Sequence, residues 1–205
     1  MPAVSETIVR EYFELHGFFV RQQRKFIAPS RLEDDEIDFF VLNPLPQPSA
    51  EPLPFVLASA DLARLQRAIV VVKGWHTDTF TAGLLAATPE IFRFVRPGAS
   101  EHATKSFGPD GPLSKILVVP ALPNGDEARQ HSIDLLKAKG LDAVIPFRTI
   151  LSDLIEHIEI NRNYLKSDLL QVIRILKNYD FFREPQMELF KTKRPRAKDK
   201  KDAAG

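Results

Sequence analysis

Ile69, Val70, Val71 and Val72 form an unbroken run of β-branched residues. Branching at Cβ restricts χ1 and favours the pleated strand over the helix. A strand that is apolar at every position has no solvated face, so it must lie inside a sheet covered on both sides. The run therefore calls for a mixed α/β domain, with helices flanking one sheet.

The neighbouring segments supply those layers. Ser5 to His16 reads as a helix with Ile8, Tyr12, Phe13 and Leu15 on its apolar face, ended by Gly17. Strands are expected at Phe18 to Phe26, Asp38 to Leu42, Ala68 to Lys73, Ile116 to Val119 and Ala143 to Pro146. Between the second and third strands lie Pro44, Pro46, Pro48, Pro52 and Pro54, a stretch that cannot sit inside a sheet. Ala60 to Arg67 and Pro89 to Val95 read as short helices. Pro97 to Pro112 reads as a loop, being polar and carrying glycine and proline. Helices are expected at Gly125 to Lys139, Thr149 to Ile160 and Tyr164 to Tyr179. With 205 residues, this is one domain over 1–182 followed by a basic tail over 183–205.

The chain has no cysteine, which excludes disulfides, thiolate metal sites and cysteine nucleophiles. No run of 18 apolar residues is present, and Met1 to Arg10 carries Glu6 and no apolar core of a signal peptide. A cytoplasmic protein is expected, without membrane contact. The net charge of +1 conceals an asymmetry. Lys191 to Gly205 holds seven lysines and arginines against two aspartates, a net +5, leaving about −4 on the rest. Such a block either solubilises the chain or neutralises phosphates, with Lys191, Lys193, Arg194 and Arg196 as the DNA-contacting residues.

Two polar residues interrupt apolar strands: Asp38 in Ile37-Asp38-Phe39-Phe40, and Lys73 after Val72. They either mark where strands reach solvent or form a site. A carboxylate can hold a hard cation, and a lysine can stabilise charge on a phosphate. His76 and Asp78 follow closely, as neighbours of such a site or as surface residues. Trp75, the only tryptophan, either stacks on a base or packs between sheet and helix. The other histidines show no ligand spacing, and no glycine-rich phosphate loop or nucleophile elbow is present.

The order helix, three strands, helix, strand, with Glu36-Ile37-Asp38 on the second strand and Lys73 ending the third, resembles the PD-(D/E)xK nuclease superfamily over Ser5 to Phe147. The resemblance implies a restriction endonuclease-like core that hydrolyses DNA phosphodiesters with Mg²⁺. It assigns Asp38, Glu36 and Glu6 to the metal and Lys73 to the phosphate or the attacking water. Glu6 lies eleven residues before Gly17-Phe18, as the first-helix glutamate of many such nucleases does. The resemblance also implies a homodimer, the arrangement that lets such enzymes reach both strands. One position departs from the pattern: the acid two residues before the lysine is Val71 here. Either Glu36 and Glu6 replace it, Glu36 lying about 7 Å from Asp38 along the strand, or the site is inactive and the fold survives as a binding module.

Gln186-Met187-Glu188-Leu189-Phe190 resembles the pentapeptide with which bacterial replication proteins dock on the sliding clamp. Leu189 and Phe190 would fill an apolar pocket, and the Gln186 amide would hydrogen-bond at a second subsite.

Overall fold

The computed structural model describes residues 2–23, 37–47, 49–108 and 111–182. Its elements run α1 (Pro2–Leu15), β1 (Phe19–Gln22), β2 (Phe39–Leu42), a 3-10 helix (Ser59–Arg64) and β3 (Arg67–Val72). Then follow α2 (Ala82–Ala87), a second 3-10 helix (Pro89–Val95), α3 (Pro97–Phe107) and β4 (Ser114–Val119). α4 (Asp126–Ala138), β5 (Ala143–Pro146), α5 (Phe147–His157) and α6 (Asp168–Asn178) complete it.

The five strands form one open mixed sheet in the order β1-β2-β3-β4-β5. β1, β2 and β3 pair antiparallel, and β3, β4 and β5 pair parallel. The β-branched run is the middle strand, buried at every position as its composition demands. Its alternate residues feed two cores. Ala68, Val70 and Val72 pack with Val9, Tyr12 and Phe13 of α1, Ile150 and Leu154 of α5, and Leu170 and Ile173 of α6. Ile69 and Val71 pack with Leu85 of α2, Ala99 and Ala103 of α3, and Leu136 of α4. This is the α/β fold with a mixed sheet flanked by helices that the sequence calls for.

α1 ends as its sequence requires. Gly17 adopts φ +80, a conformation glycine takes without strain. Its N–H bonds to Glu14 O (3.0 Å) and the Phe18 N–H to Phe13 O (3.0 Å), closing the helix with satisfied carbonyls.

The helix expected from Tyr164 starts at Asp168, and the short helix expected over Ala60 to Arg67 ends at Arg64, with Arg67 opening β3. Two further segments differ in kind from expectation. Pro97–Phe107 is a helix, not a loop. Its proline sits in the first turn, where a missing N–H breaks no helical bond. Ala99 and Ala103, four residues apart, face the core, too small to give a clear apolar period. The six-residue helix Ala82–Ala87 is also absent from the sequence reading. It buries only Leu85 and starts where the Thr81 side chain accepts from the Leu84 N–H (3.2 Å).

The proline-rich stretch crosses to the far edge of the sheet. Val56 bridges Val144 in parallel, with Leu57 N–H donating to Val144 O (2.9 Å) and Val144 N–H to Phe55 O (2.7 Å). Prolines suit such a route because they ask for no ladder bond, and the segment covers an edge that would otherwise be open. Among the described residues, no helix is long and apolar enough to cross a membrane.

Tyr12 ties α1 to this crossing segment. Its ring is fully buried and its hydroxyl donates to Ser59 Oγ (3.0 Å). Burial pushes its ionisation far above the ordinary tyrosine value, against a smaller opposing effect of the Ser59 hydrogen bond. A pKa raised in the folded state stabilises below the unfolded value and loses that contribution as pH rises. Stability should therefore fall above about pH 10. In urea titrations Tyr12→Phe should flatten that decline, at a loss of about 1 kcal/mol at neutral pH. An unchanged alkaline slope in the variant would show that other groups set it.

Candidate functional site

The antiparallel and parallel halves of the sheet meet at β3, and several polar side chains gather at its carboxyl end. In open α/β sheets, ligands bind beyond the carboxyl ends of parallel strands. Here that end carries Lys73, Gly74, Trp75 and His76 after β3, Phe147 after β5, Gln22 at the end of β1, Asp38 just before β2, and the first turns of α1. The structure thus brings Asp38, Lys73 and Glu6 to one end of the sheet. Glu36 lies outside the described residues, as do Gln186, Leu189, Phe190, Lys191, Lys193, Arg194 and Arg196.

Asp38 lies at an irregularity in the β2–β3 ladder. Phe39 is the register partner of Val70, yet the Asp38 N–H also donates to Val70 O (3.1 Å). Two residues opposite one is a bulge, and it shifts the alternation of side chains. Ile37 consequently packs with Phe40 and Val71, while Phe39 packs with Val70 and α1. Asp38 therefore leaves the strand on the α1 side. Its Oδ2 accepts the Val72 N–H at 2.6 Å. This is a charge-assisted bond that completes the ladder of the central strand.

Lys73 continues β3 by one further bond, its N–H donating to Val118 O (3.1 Å). Its neighbour Gly74 is turned toward α1, since a Cβ there would stand 2.5 Å from Ser5 Oγ and 3.1 Å from Ser5 Cβ. Alternation then assigns Lys73 to the opposite side, the face of Val71. Val71 itself is 0% exposed among the apolar side chains of the second core. The position where the nuclease pattern has its second acid is closed to solvent.

Glu6 projects from the first turns of α1, and its Oε2 accepts from Gln22 Nε2 (2.8 Å). Ser5 beside it is buried and lies 2.9 Å from His76 Nε2. The His76 ring meets Phe147 edge-on, with centroids 4.5 Å apart. His76 is thus exposed yet held on two sides. Trp75 packs against the Phe80 ring (5.6 Å) and the second core, the packing role of the two that its sequence allows. Asp78 is exposed, and its N–H closes a turn on Trp75 O (2.9 Å).

Ser5, Gln22 and Phe147 are not among the site residues read from sequence; Ser5, expected to start the first helix, lies inside α1, which begins at Pro2. Ser5 and His76 are 71 positions apart, and no local pattern marks either as a partner. The same holds at the other end of α1, where His16 Nε2 lies 2.8 Å from Oδ2 of the buried Asp153. His157 Nδ1 stands 3.6 Å from that oxygen and 2.9 Å from Asp153 O. Histidines scattered in sequence are here brought onto one carboxylate.

A magnesium centre of the nuclease type needs carboxylate oxygens converging on one point, with room for waters and phosphate. Among the described residues no group of three His, Cys, Asp or Glu is placed to hold a metal ion. One Asp38 oxygen is engaged by the backbone, Glu6 is engaged by Gln22, and Val71 offers no ligand. The described residues therefore do not fit such a centre.

No family model matches the chain, and no curated protein or solved structure matches it either. The fold defines a class, an α/β domain with polar groups at the carboxyl end of a mixed sheet.

The tight approach of Gly74 to Ser5 is testable as a pair. Gly74→Ala should lower stability by about 1–3 kcal/mol, because α1 or the strand end must shift. Ser5→Ala removes the atom at 2.5 Å and leaves one at 3.1 Å, so the double variant should recover part of that loss. Additive losses in chemical denaturation would show that the two residues do not press on each other.

Proposed function

We propose that this chain is a cytoplasmic DNA-binding module with a restriction endonuclease-like core that does not hydrolyse DNA. One observation carries the non-hydrolytic reading: the Asp38 carboxylate serves the main chain of the central strand, accepting from Val72 N–H at 2.6 Å. A hydrogen-bonded carboxylate can still ligate a cation, so what the bond supports is a structural role for Asp38 in the sheet, read together with Val71 in place of the second acid. The order of elements from Ser5 to Phe147 supports kinship with that nuclease architecture, and the buried Val71 supports loss of its chemistry.

DNA affinity then rests on phosphate neutralisation. The net +5 of Lys191 to Gly205 supplies it, set against a net negative remainder that keeps the domain itself off the duplex. Such binding carries no base readout, so location would come from a partner. Gln186-Met187-Glu188-Leu189-Phe190, directly ahead of the basic block, suits docking on a sliding clamp.

The role of Asp38 separates the hydrolytic and non-hydrolytic readings. An asparagine oxygen can still accept from Val72 N–H, so Asp38→Asn should keep stability within about 1 kcal/mol and leave DNA binding unchanged. Asp38→Ala should cost about 1–3 kcal/mol by stranding that N–H. Titration calorimetry with Mg²⁺ or Mn²⁺ should give the same trace for wild type and Asp38→Asn. Metal binding that disappears in Asp38→Asn, accompanied by metal-dependent DNA cleavage in wild type, would restore the hydrolytic reading.

Replacing Lys191, Lys193, Arg194 and Arg196 with alanine should lower the slope of log affinity against log salt by about 3–4. A slope that does not move would remove the tail from the interface. Leu189→Ala with Phe190→Ala should abolish clamp binding in surface plasmon resonance, and undiminished binding would exclude the pentapeptide as the anchor.

A further inference from the structure

The sheet has two edges, and the chain treats them differently. Beyond β5, the crossing segment bridges Val144 through Val56 and Leu57. β1, at the other edge, pairs with β2 alone. Gln22 stands opposite Phe39, and one position further along the Gln23 N–H donates to Asp38 O (2.8 Å). In an antiparallel pair such hydrogen-bonded positions recur at every second residue. Arg21 and Phe19 therefore turn their N–H and C=O groups toward β2. Val20 and Gln22 turn theirs outward, and these groups make no main-chain bond among the described residues.

The side chains alternate in step. Val20 packs against the first core and Gln22 binds Glu6, both on the α1 side. Phe19 and Arg21 take the opposite face and stand in water, Phe19 at 66% exposure. None of the ion pairs among the described residues involves Arg21. Open edges are commonly protected by proline, a bulge, an inward-pointing charge or a covering segment. β1 has no proline, pairs in regular register with β2, and points its one charge outward.

We infer that β1 accepts an extended segment of a partner protein as a sixth, antiparallel strand, with a carboxylate beside Arg21 and an aromatic ring beside Phe19. In strand addition, main-chain bonds supply the affinity and alternate side chains the selectivity. Antiparallel pairing lets Val20 and Gln22 each exchange both bonds with one partner residue. In that orientation the partner reads carboxylate, any residue, aromatic from its N-terminal end. Opposite charges and aromatic pairs directly across a ladder add to its stability. Charge disfavours a second copy as the occupant. The register that engages every outward group would set Arg21 directly opposite its own copy.

The probe is a fluorescein-labelled peptide, Ser-Thr-Glu-Thr-Phe-Thr-Ser, titrated with the full chain and followed by anisotropy. So short a ladder binds weakly, with a dissociation constant on the order of 100 µM expected. Arg21→Glu should weaken binding about fivefold, and a peptide with lysine in place of glutamate should recover it. The lysine peptide should bind wild type about fivefold more weakly, which tests the pair even if the variant does not fold. N-methylating the threonine between glutamate and phenylalanine removes the N–H that meets Val20 O, and should cost at least about tenfold. The Val20 and Gln22 amides should exchange freely in the protein alone and slow when the peptide is present. Four results would overturn the inference. They are no binding up to about 1 mM peptide, binding indifferent to N-methylation, binding indifferent to the charge swap, and Val20 and Gln22 amides already protected without peptide. Protection at every concentration would show the chain covering its own edge, and protection that grows with concentration would show a second copy there.

Discussion

Everything in this fold hangs on the central strand being satisfied on all sides. β3 has ladder partners on both edges and a separate apolar core on each face. A buried strand with an unpaired N–H would lose on the order of a hydrogen bond's worth of stability. Where its antiparallel ladder is disturbed, at the bulge by Asp38, the carboxylate accepts the Val72 N–H. A residue that looks like a metal ligand in sequence accepts, in the folded chain, a main-chain bond of the central strand.

The second dependence is the seating of α1. Gly74 lets the chain leaving β3 pass against Ser5, Tyr12 holds Ser59 of the crossing segment, and Glu11 accepts from Ser167 at the start of α6. One helix thereby joins the strand end, the proline-rich crossing and the C-terminal helix. α6 is held further by Lys177, whose ammonium donates to the Ile155, Glu156 and Ile158 carbonyls around the end of α5. The last helix is consequently anchored at both ends.

These contacts bear on the two readings of the polar sheet end. Glu6, Ser5 and Asp38 belong to the α1 side, whereas Val71 and the face it shares with Lys73 belong to the other core. Asp38, Glu6 and Lys73 nevertheless share the carboxyl end of β3, without a group of three metal ligands among the described residues. What they do instead is join elements: Ser5 to His76, Glu6 to Gln22, Asp38 to Val72.

Most of the architecture was legible in the chain, because its determinants are local. The β-branched run announces a buried central strand, Gly17 ends the first helix, and Ala143 to Pro146 is a strand with the bounds its apolar residues suggest. Pro97–Phe107 was not legible, since its buried face is made of alanines whose small size hides the helical period. The site was legible only as a set of names. Sequence supplies Asp38, Lys73 and Glu6, but the face on which each side chain leaves its element depends on a bulge and on the close passage of Gly74 by Ser5. Those are contacts between residues tens of positions apart, and local pattern holds no record of them. Hydrophobic period therefore decides which layers exist. Only the tertiary packing decides which side of the central strand each polar group occupies, because a single extra residue in a strand is enough to reverse it.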